Sequence, residues 1–215
     1  RPPRSTLSSS SAASDVYKRQ VMNKDQVISE FRDAGALLEG HFILSSGLHS
    51  SKYLQCALAL SDPSRAKRLS LALSKKIKEK IKEKIDLIVS PAMGGVIIGH
   101  EIARNLNVPF VFLERVNGVF ELRRGFSIKS SSKCLLVEDI VTTGLSSNES
   151  IVVINKYGGE VVGEACLIDR SCGKADLDIE LVSLTSFDIP TFDSDNIPKE
   201  LINVPAIKPG SRNIT

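Results

Sequence analysis

Apolar residues recur at Val27, Ile28, Phe31, Ala34 and Leu38, and this three-to-four spacing predicts an amphipathic helix from Lys24 to Leu38, broken by Gly40. His41 to Cys56 reads as a strand, a polar turn containing glycine and a second strand. Asp62-Pro63 then marks a helix start, with Asp as N-cap and Pro at the first helical position. The helix that follows carries Leu69, Leu73, Ile77, Ile81 and Ile85 at four-residue steps. Its KKIKEKIKEK section is low in complexity and is read as an exposed, ion-paired face in preference to a nucleic-acid site.

Beyond it, short apolar runs alternate with helical patterns. Ile85 to Ser90 predicts a strand, followed by the turn PAMGG and the helix VIIGHEIARNL. Pro109 to Arg115 predicts another strand, and Asn117-Gly118 a hairpin turn. Lys133 to Val141 is the most strand-like run, and it leads through TTGLSS into a helix holding Ile151, Val152, Ile154 and Tyr157, ended by Gly158-Gly159. VVGEACLIDR and IELVSLTSF follow as further strands. Buried strands alternating with helices argue for an α/β fold with a doubly wound, mainly parallel sheet.

Composition narrows the function classes. A length of 215 residues suits one α/β domain or two small ones. The net charge of +3 is far below the concentrated field of a dedicated nucleic-acid binder. No apolar run reaches the roughly 18 residues of a membrane span. The cysteines Cys56, Cys134, Cys166 and Cys172 show no CxxC spacing, so reduced, mostly buried thiols of a cytoplasmic enzyme are expected over a disulfide scaffold or zinc module. Residues 1–21 contain a serine run, two prolines and no hydrophobic periodicity. They are set apart as a leader, either a transit peptide or a translated linker remnant, and residues 22–215 are expected to form a single domain.

The chemistry concentrates in LLVEDIVTTGLSS, Leu135 to Ser147. An apolar strand ends in two adjacent carboxylates, Glu138 and Asp139. A short loop of Thr142, Thr143, Gly144, Leu145 and Ser146 then precedes a helix. Free N–H groups at a helix start bind anions, hydroxyls add donors, and Gly144 lets the backbone come close to a phosphate. Carboxylates beside such a loop repel the phosphate itself and suit ribose hydroxyls or a divalent cation. Neither GxxxxGK[ST] nor GxGxxG occurs.

VEDIVTTG closely resembles the phosphoribosyl-pyrophosphate signature of the type I phosphoribosyltransferases. The resemblance implies that family's sheet with a small N-terminal hairpin and helix hood, here 22–61, over a core of 62–190 and a tail of 191–215. It implies a donor site of Glu138, Asp139, Ile140, Val141, Thr142, Thr143, Gly144, Leu145 and Ser146. In it the acidic pair holds the ribose hydroxyls and the loop wraps the 5′-phosphate. Four further segments resemble the orotate-using branch: GHFILSSGLHSSKYLQC the hairpin over the pyrimidine, SPAMGGVIIGHEIA the pyrophosphate-loop region, FLERVNGVFELRRGF the mobile loop, and IPTFDSDNIPKELINVPAIKPGSR the C-terminal tail. LIDR supplies Arg170, which that resemblance pairs with the orotate carboxylate, with Thr142 as a second orotate contact. Arg115, Arg123 and Arg124 join Asp139 as expected catalytic residues. Mg2+ is implied as cofactor, carried by the substrate and touching Asp139 at most, and so is a homodimer whose mobile loop reaches the neighbouring site. Orotate and phosphoribosyl pyrophosphate are the expected partners, with no nucleic acid and no membrane.

The chain also departs from that branch. Met93 and Gly94 stand where a lysine is frequent, Ser45 is not the lysine often found in the hairpin, and Ile197 to Glu200 replace cysteines. Arginines replace the Lys and His residues of a longer mobile loop. His41 and His49 are read as ligand contacts or surface residues alike, and His100 as a packed helix residue. Tyr53 and Leu54 are read as packing on the pyrimidine or in the core. A purine or uracil relative and a non-catalytic regulator on the same fold stay open.

Overall fold

The computed structural model describes residues 22–44 and 47–209. The leader 1–21, Ser45 and the last residues of the tail lie outside them.

Helix α1 (Lys24–Asp33) starts at a capping box between Asn23 and Gln26 and buries Val27 and Phe31. It stops earlier than the predicted Leu38. Gly35 adopts φ +62° and the Ala36 N–H returns to the Phe31 carbonyl, so Leu37 and Leu38 enter strand β1 (Leu37–Ile43). The helical spacing of Leu38 was coincidental. β1 pairs antiparallel with β2 (His49–Leu54). A short helix α2 (Cys56–Leu60) then leads to α3 (Pro63–Lys80), which begins as expected: the Asp62 carboxylate accepts the Ser64 N–H at 2.8 Å with Pro63 beside it. α3 ends at Lys80, not Ile85. Ile81 turns extended, at ψ 112°, and its side chain packs over Gly163, which has no Cβ to obstruct it.

The central sheet holds β3 (Leu87–Pro91), β4 (Phe110–Val116), β5 (Val119–Leu122), β6 (Lys133–Val141), β7 (Glu160–Asp169) and β8 (Leu181–Ser186), in the order β5-β4-β3-β6-β7-β8. All neighbours run parallel except the edge hairpin β4–β5. In that hairpin Val116 faces Val119, and Asn117 and Gly118 both have positive φ, as the sequence NG demands of a two-residue turn. Helix α4 (Gly94–Leu106) connects β3 to β4, and α5 (Leu145–Lys156) connects β6 to β7. The two crossovers lead in opposite directions from the β3–β6 pair, so with right-handed crossovers the helices cover opposite faces. Leu135 and Val137 pack on the face of α3 and α4, while Cys134 and Leu136 pack on that of α5. The doubly wound expectation stands.

The hood is less separate than its segment boundaries imply. Val27, Phe31, Cys56, Ala59 and Leu60 belong to the same apolar core as α3 and α4. The tail closes the hood sheet from both sides, in the order β10-β1-β2-β9, with β9 (Thr191–Phe192) on β2 and β10 (Ala206–Ile207) on β1. A short helix α6 (Lys199–Ile202) lies between those strands and buries Leu201. His41 is buried in this joint. Its Nδ1 donates to the Val204 carbonyl at 2.9 Å, and its Nε2 is hydrogen-bonded to His49 Nδ1 at 2.6 Å. His100 is exposed, not packed, touching Phe110 edge-on. No helix among the described residues is long and apolar enough to cross a membrane.

Candidate functional site

Ligands of open parallel sheets bind beyond the carboxyl ends of the strands, where the chain order switches. Here that point lies between β3 and β6, and the residues singled out from the sequence gather there. Asp139 stands near the end of β6 and is half-buried. Its Oδ1 accepts the Ile140 N–H at 3.0 Å, and no cation pairs with it among the described residues. Burial raises the pKa of its carboxyl. Across the switch, Gly94 at the head of α4 lies so close that a Cβ there would come 2.6 Å from Asp139 Oδ1. Spacing gave no warning of this. Gly94 leaves the space that the Asp139 carboxyl occupies.

The loop after β6 leaves Thr142 and Thr143 exposed and Gly144 buried. Gly144 has φ +86°, and a Cβ on it would meet Leu177 Cδ2 at 3.0 Å and the Asp176 carbonyl at 3.3 Å. Its glycine is therefore required by the turn and by the loop packed behind it. That loop is tied on by Asn148, whose side-chain amide donates to the Asp176 carbonyl at 2.8 Å. No side chain caps α5 at Gly144. The Leu145 N–H reaches Thr143 Oγ1 at 3.4 Å, and the other N–H groups of this first turn lie beside two exposed threonines, an arrangement suited to a phosphate.

The acidic pair is split. Successive strand residues face opposite sides, so Asp139 lies toward α4 and Glu138 toward α5. Glu138 is buried, contrary to the expectation that both carboxylates face the ligand together. Beside it lie Ser147, the third residue of α5, and Glu164 on β7. Ser147 Oγ donates to Glu164 Oε1 at 2.8 Å and stands 3.4 Å from Glu138 Oε1. Burial raises Glu138 to about 8, helped by the neighbouring carboxyls of Glu164 and Asp139, and burial raises Glu164 to about 7.

These shifts set a pH dependence. Between its ordinary value of 4.5 and about 7, Glu164 keeps a proton in the folded chain that the unfolded chain releases. The folded state then binds more protons, so stability declines as pH rises through that window, by an amount on the order of 3 kcal/mol. Glu164→Gln removes this contribution. Its melting temperature is expected to fall less than that of the wild type between about pH 5 and pH 8. Parallel curves would contradict the assignment.

Arg170 follows the last residue of β7, and its N–H donates to the Val141 carbonyl at 2.8 Å, which fixes it beside the phosphate loop. Asp169 orders the turn behind it, with Oδ1 accepting the Ser171 N–H at 2.8 Å and Oδ2 the Gly173 N–H at 2.9 Å. Among the described residues Arg170 Nε is buried without a partner. Burial lowers the Arg170 pKa, and the Tyr53 and Cys56 side chains are the groups that offset it. Tyr53, from β2, is half-buried and responds in turn to Arg170 and Asp139. Leu54 is core.

The loop arginines stand apart from Asp139. Arg115 pairs with Glu149 of α5 at 2.5 Å, donates to the Gly118 carbonyl at 2.6 Å and stacks 4.0 Å over Phe120. Arg124 forks onto Glu114 at 2.9 and 2.7 Å, and Arg123 is exposed. Three of the four cysteines are buried, and Cys172 is exposed. Among the described residues no group of His, Cys, Asp and Glu forms a metal cage.

The comparisons with known proteins identify the family and the fold. The family model described as phosphoribosyl transferase domain matches residues 59–199. An orotate phosphoribosyltransferase of Sphingopyxis alaskensis is 55% identical over 194 residues, covering 90% of this chain and 99% of that protein. One of Parvibaculum lavamentivorans is 54% identical, covering 90% and 100%. The crystal structure of orotate phosphoribosyltransferase from Aeropyrum pernix superposes with a TM-score of 0.63 at 26% identity, over 75% of this chain and 93% of that one. The matched domain and the shared length and identity place the chain in one family, and it belongs to the orotate phosphoribosyltransferases.

Proposed function

We propose that the chain carries out the reaction of its family, transfer of phosphoribosyl from phosphoribosyl pyrophosphate to orotate, giving orotidine 5′-phosphate and pyrophosphate in pyrimidine synthesis. The observation that carries this reading is Arg170. A half-buried guanidinium whose Nε lacks a partner, beside a phosphate-type loop, suits a substrate that brings its own carboxylate. Uracil and the purine bases bring none.

The reaction needs no protein nucleophile. As pyrophosphate leaves C1, positive charge develops on the ribose, as in glycoside hydrolysis. The protein's task is positioning and electrostatic stabilisation. In our reading, Thr142, Thr143, Gly144, Leu145 and Ser146, with the first-turn N–H groups of α5, hold the 5′-phosphate. Asp139 accepts from a ribose hydroxyl, and Glu138 turns up from its buried position to accept from the other. Arg170 grips the orotate carboxylate, Thr142 adds a contact, and Tyr53 covers the ring. Arg115, Arg123 and Arg124 exchange Glu149 and Glu114 for the departing pyrophosphate as the β4–β5 hairpin closes and excludes water. The donor set fits Mg2+, because one unpaired carboxylate, Asp139, beside substrate phosphates is its usual environment. When bound, that ion offsets the leaving group's charge. A cytoplasmic homodimer completes the reading, supported by the exposed Met93 and Ile97 at the start of α4.

Steady-state assays with orotate, uracil and adenine in parallel test the proposal. Turnover with orotate alone is expected. Comparable turnover with adenine or uracil would overturn it.

A further inference from the structure

Glu164 is the residue whose presence the fold explains least. Its side chain is fully buried, no cation accompanies it among the described residues, and Oε2 has no partner. Burying a carboxyl this way costs more than an aliphatic side chain of similar size, so stability gives no reason for it. Its one side-chain hydrogen bond comes from Ser147, and that bond has a consequence for Glu138.

Ser147 Oγ carries a single proton and stands between two carboxyls. It lies 2.8 Å from Glu164 Oε1 and 3.4 Å from Glu138 Oε1, at the outer limit of a hydrogen bond. The shorter contact takes the proton. In parallel register Leu136 faces Glu164 and Glu138 faces Cys166, so Glu164 sits one pleat below Glu138 on the same side of the sheet. It draws the hydroxyl downward, away from the strand end. With an apolar residue at 164, the same hydroxyl would turn to Glu138 as its remaining carboxyl acceptor and hold it against α5.

We propose that Glu164 is a positioning residue for the donor site: by taking the shorter contact with Ser147 it leaves the Glu138 carboxyl only loosely held, at 3.4 Å, and able to turn toward the ribose hydroxyls. This rests on the reading that Glu138 receives the ribose. The raised pKa values of both carboxyls agree with a crowded, solvent-poor pocket.

The test compares the dissociation constant of phosphoribosyl pyrophosphate and the KM for orotate in wild type, Glu164→Leu, Glu164→Gln, Ser147→Ala and the Glu164→Leu/Ser147→Ala double variant. Glu164→Leu should weaken donor binding by about tenfold, the scale of one hydrogen bond. Its orotate KM should hold, and its melting temperature should stay level or rise, because leucine removes the buried carboxyl. Glu164→Gln keeps an acceptor for Ser147 and should stay near wild type. Removing the hydroxyl in the double variant should restore donor affinity, a rescue that a merely structural role does not produce. Unchanged donor binding in Glu164→Leu, equal losses for both substrates, or no recovery in the double variant each overturns the inference while the proposed function stands. A wild-type protein that does not bind the donor overturns both.

Discussion

Replacing Arg170 with alanine is expected to lower kcat/KM for orotate by about 30- to 4,000-fold while leaving the dissociation constant of the phosphoribosyl donor nearly unchanged. An arginine–carboxylate fork is a charge-assisted pair, stronger than neutral hydrogen bonds. Arg170 is already desolvated: its Nε is buried without a partner, and burial rather than any acid dominates its pKa shift. Truncation strands the orotate carboxylate in the same surroundings, which costs roughly 2–5 kcal/mol. In the proposed function the donor's phosphate lies on the Thr142–Ser146 loop, which is anchored separately through Asn148 and the Asp176 carbonyl. Kinetics with orotate and calorimetry with the donor separate the two effects. Equal losses would mean that the whole carboxyl edge had collapsed, and an unchanged orotate value would remove Arg170 from substrate recognition.

Asp139→Asn is expected to reduce turnover by about a hundredfold or more with the fold intact, a loss on the scale of removing one preorganised electrostatic contact from an active site. The substitution keeps the side-chain oxygen that accepts the Ile140 N–H and adds no heavy atom against Gly94, where space is tightest. It also removes a carboxyl whose pKa burial raises, so the melting temperature should stay level or increase. Turnover and thermal melting measured on one preparation decide the matter. Wild-type turnover would show that Asp139 does not hold ribose, and a collapsed melting temperature would make the carboxylate structural.

Much of the framework is legible along the chain. The strand of Lys133–Val141, the Asn117-Gly118 turn and the Asp62-Pro63 helix start depend on contacts within a few residues, and each stands where its local chemistry puts it. Errors arose where a periodic pattern continued across a break. Leu38 fits the spacing of α1 and Ile85 that of α3, yet the positive φ of Gly35 ends one helix and the packing of Ile81 over Gly163 ends the other. Gly35 was visible as a letter. The pairing of Ile81 with a residue some eighty positions away was not.

The sequence by itself determined the alternation of strands and helices, the phosphate-type loop after β6 and the chemical types at the site, because periodicity, turn residues and motif spacing act over short stretches of chain. The tertiary structure decided which of those residues share a face. It set Asp139 against Gly94 across the β3–β6 switch and turned Glu138 into a pocket with Ser147 and Glu164. It brought Arg170 toward Tyr53 of the hood and closed the hood sheet with the tail. Two adjacent acids in a strand look like a pair when read in order. The pleat sends them to opposite sides, and only the neighbouring strands and helices determine what each one meets.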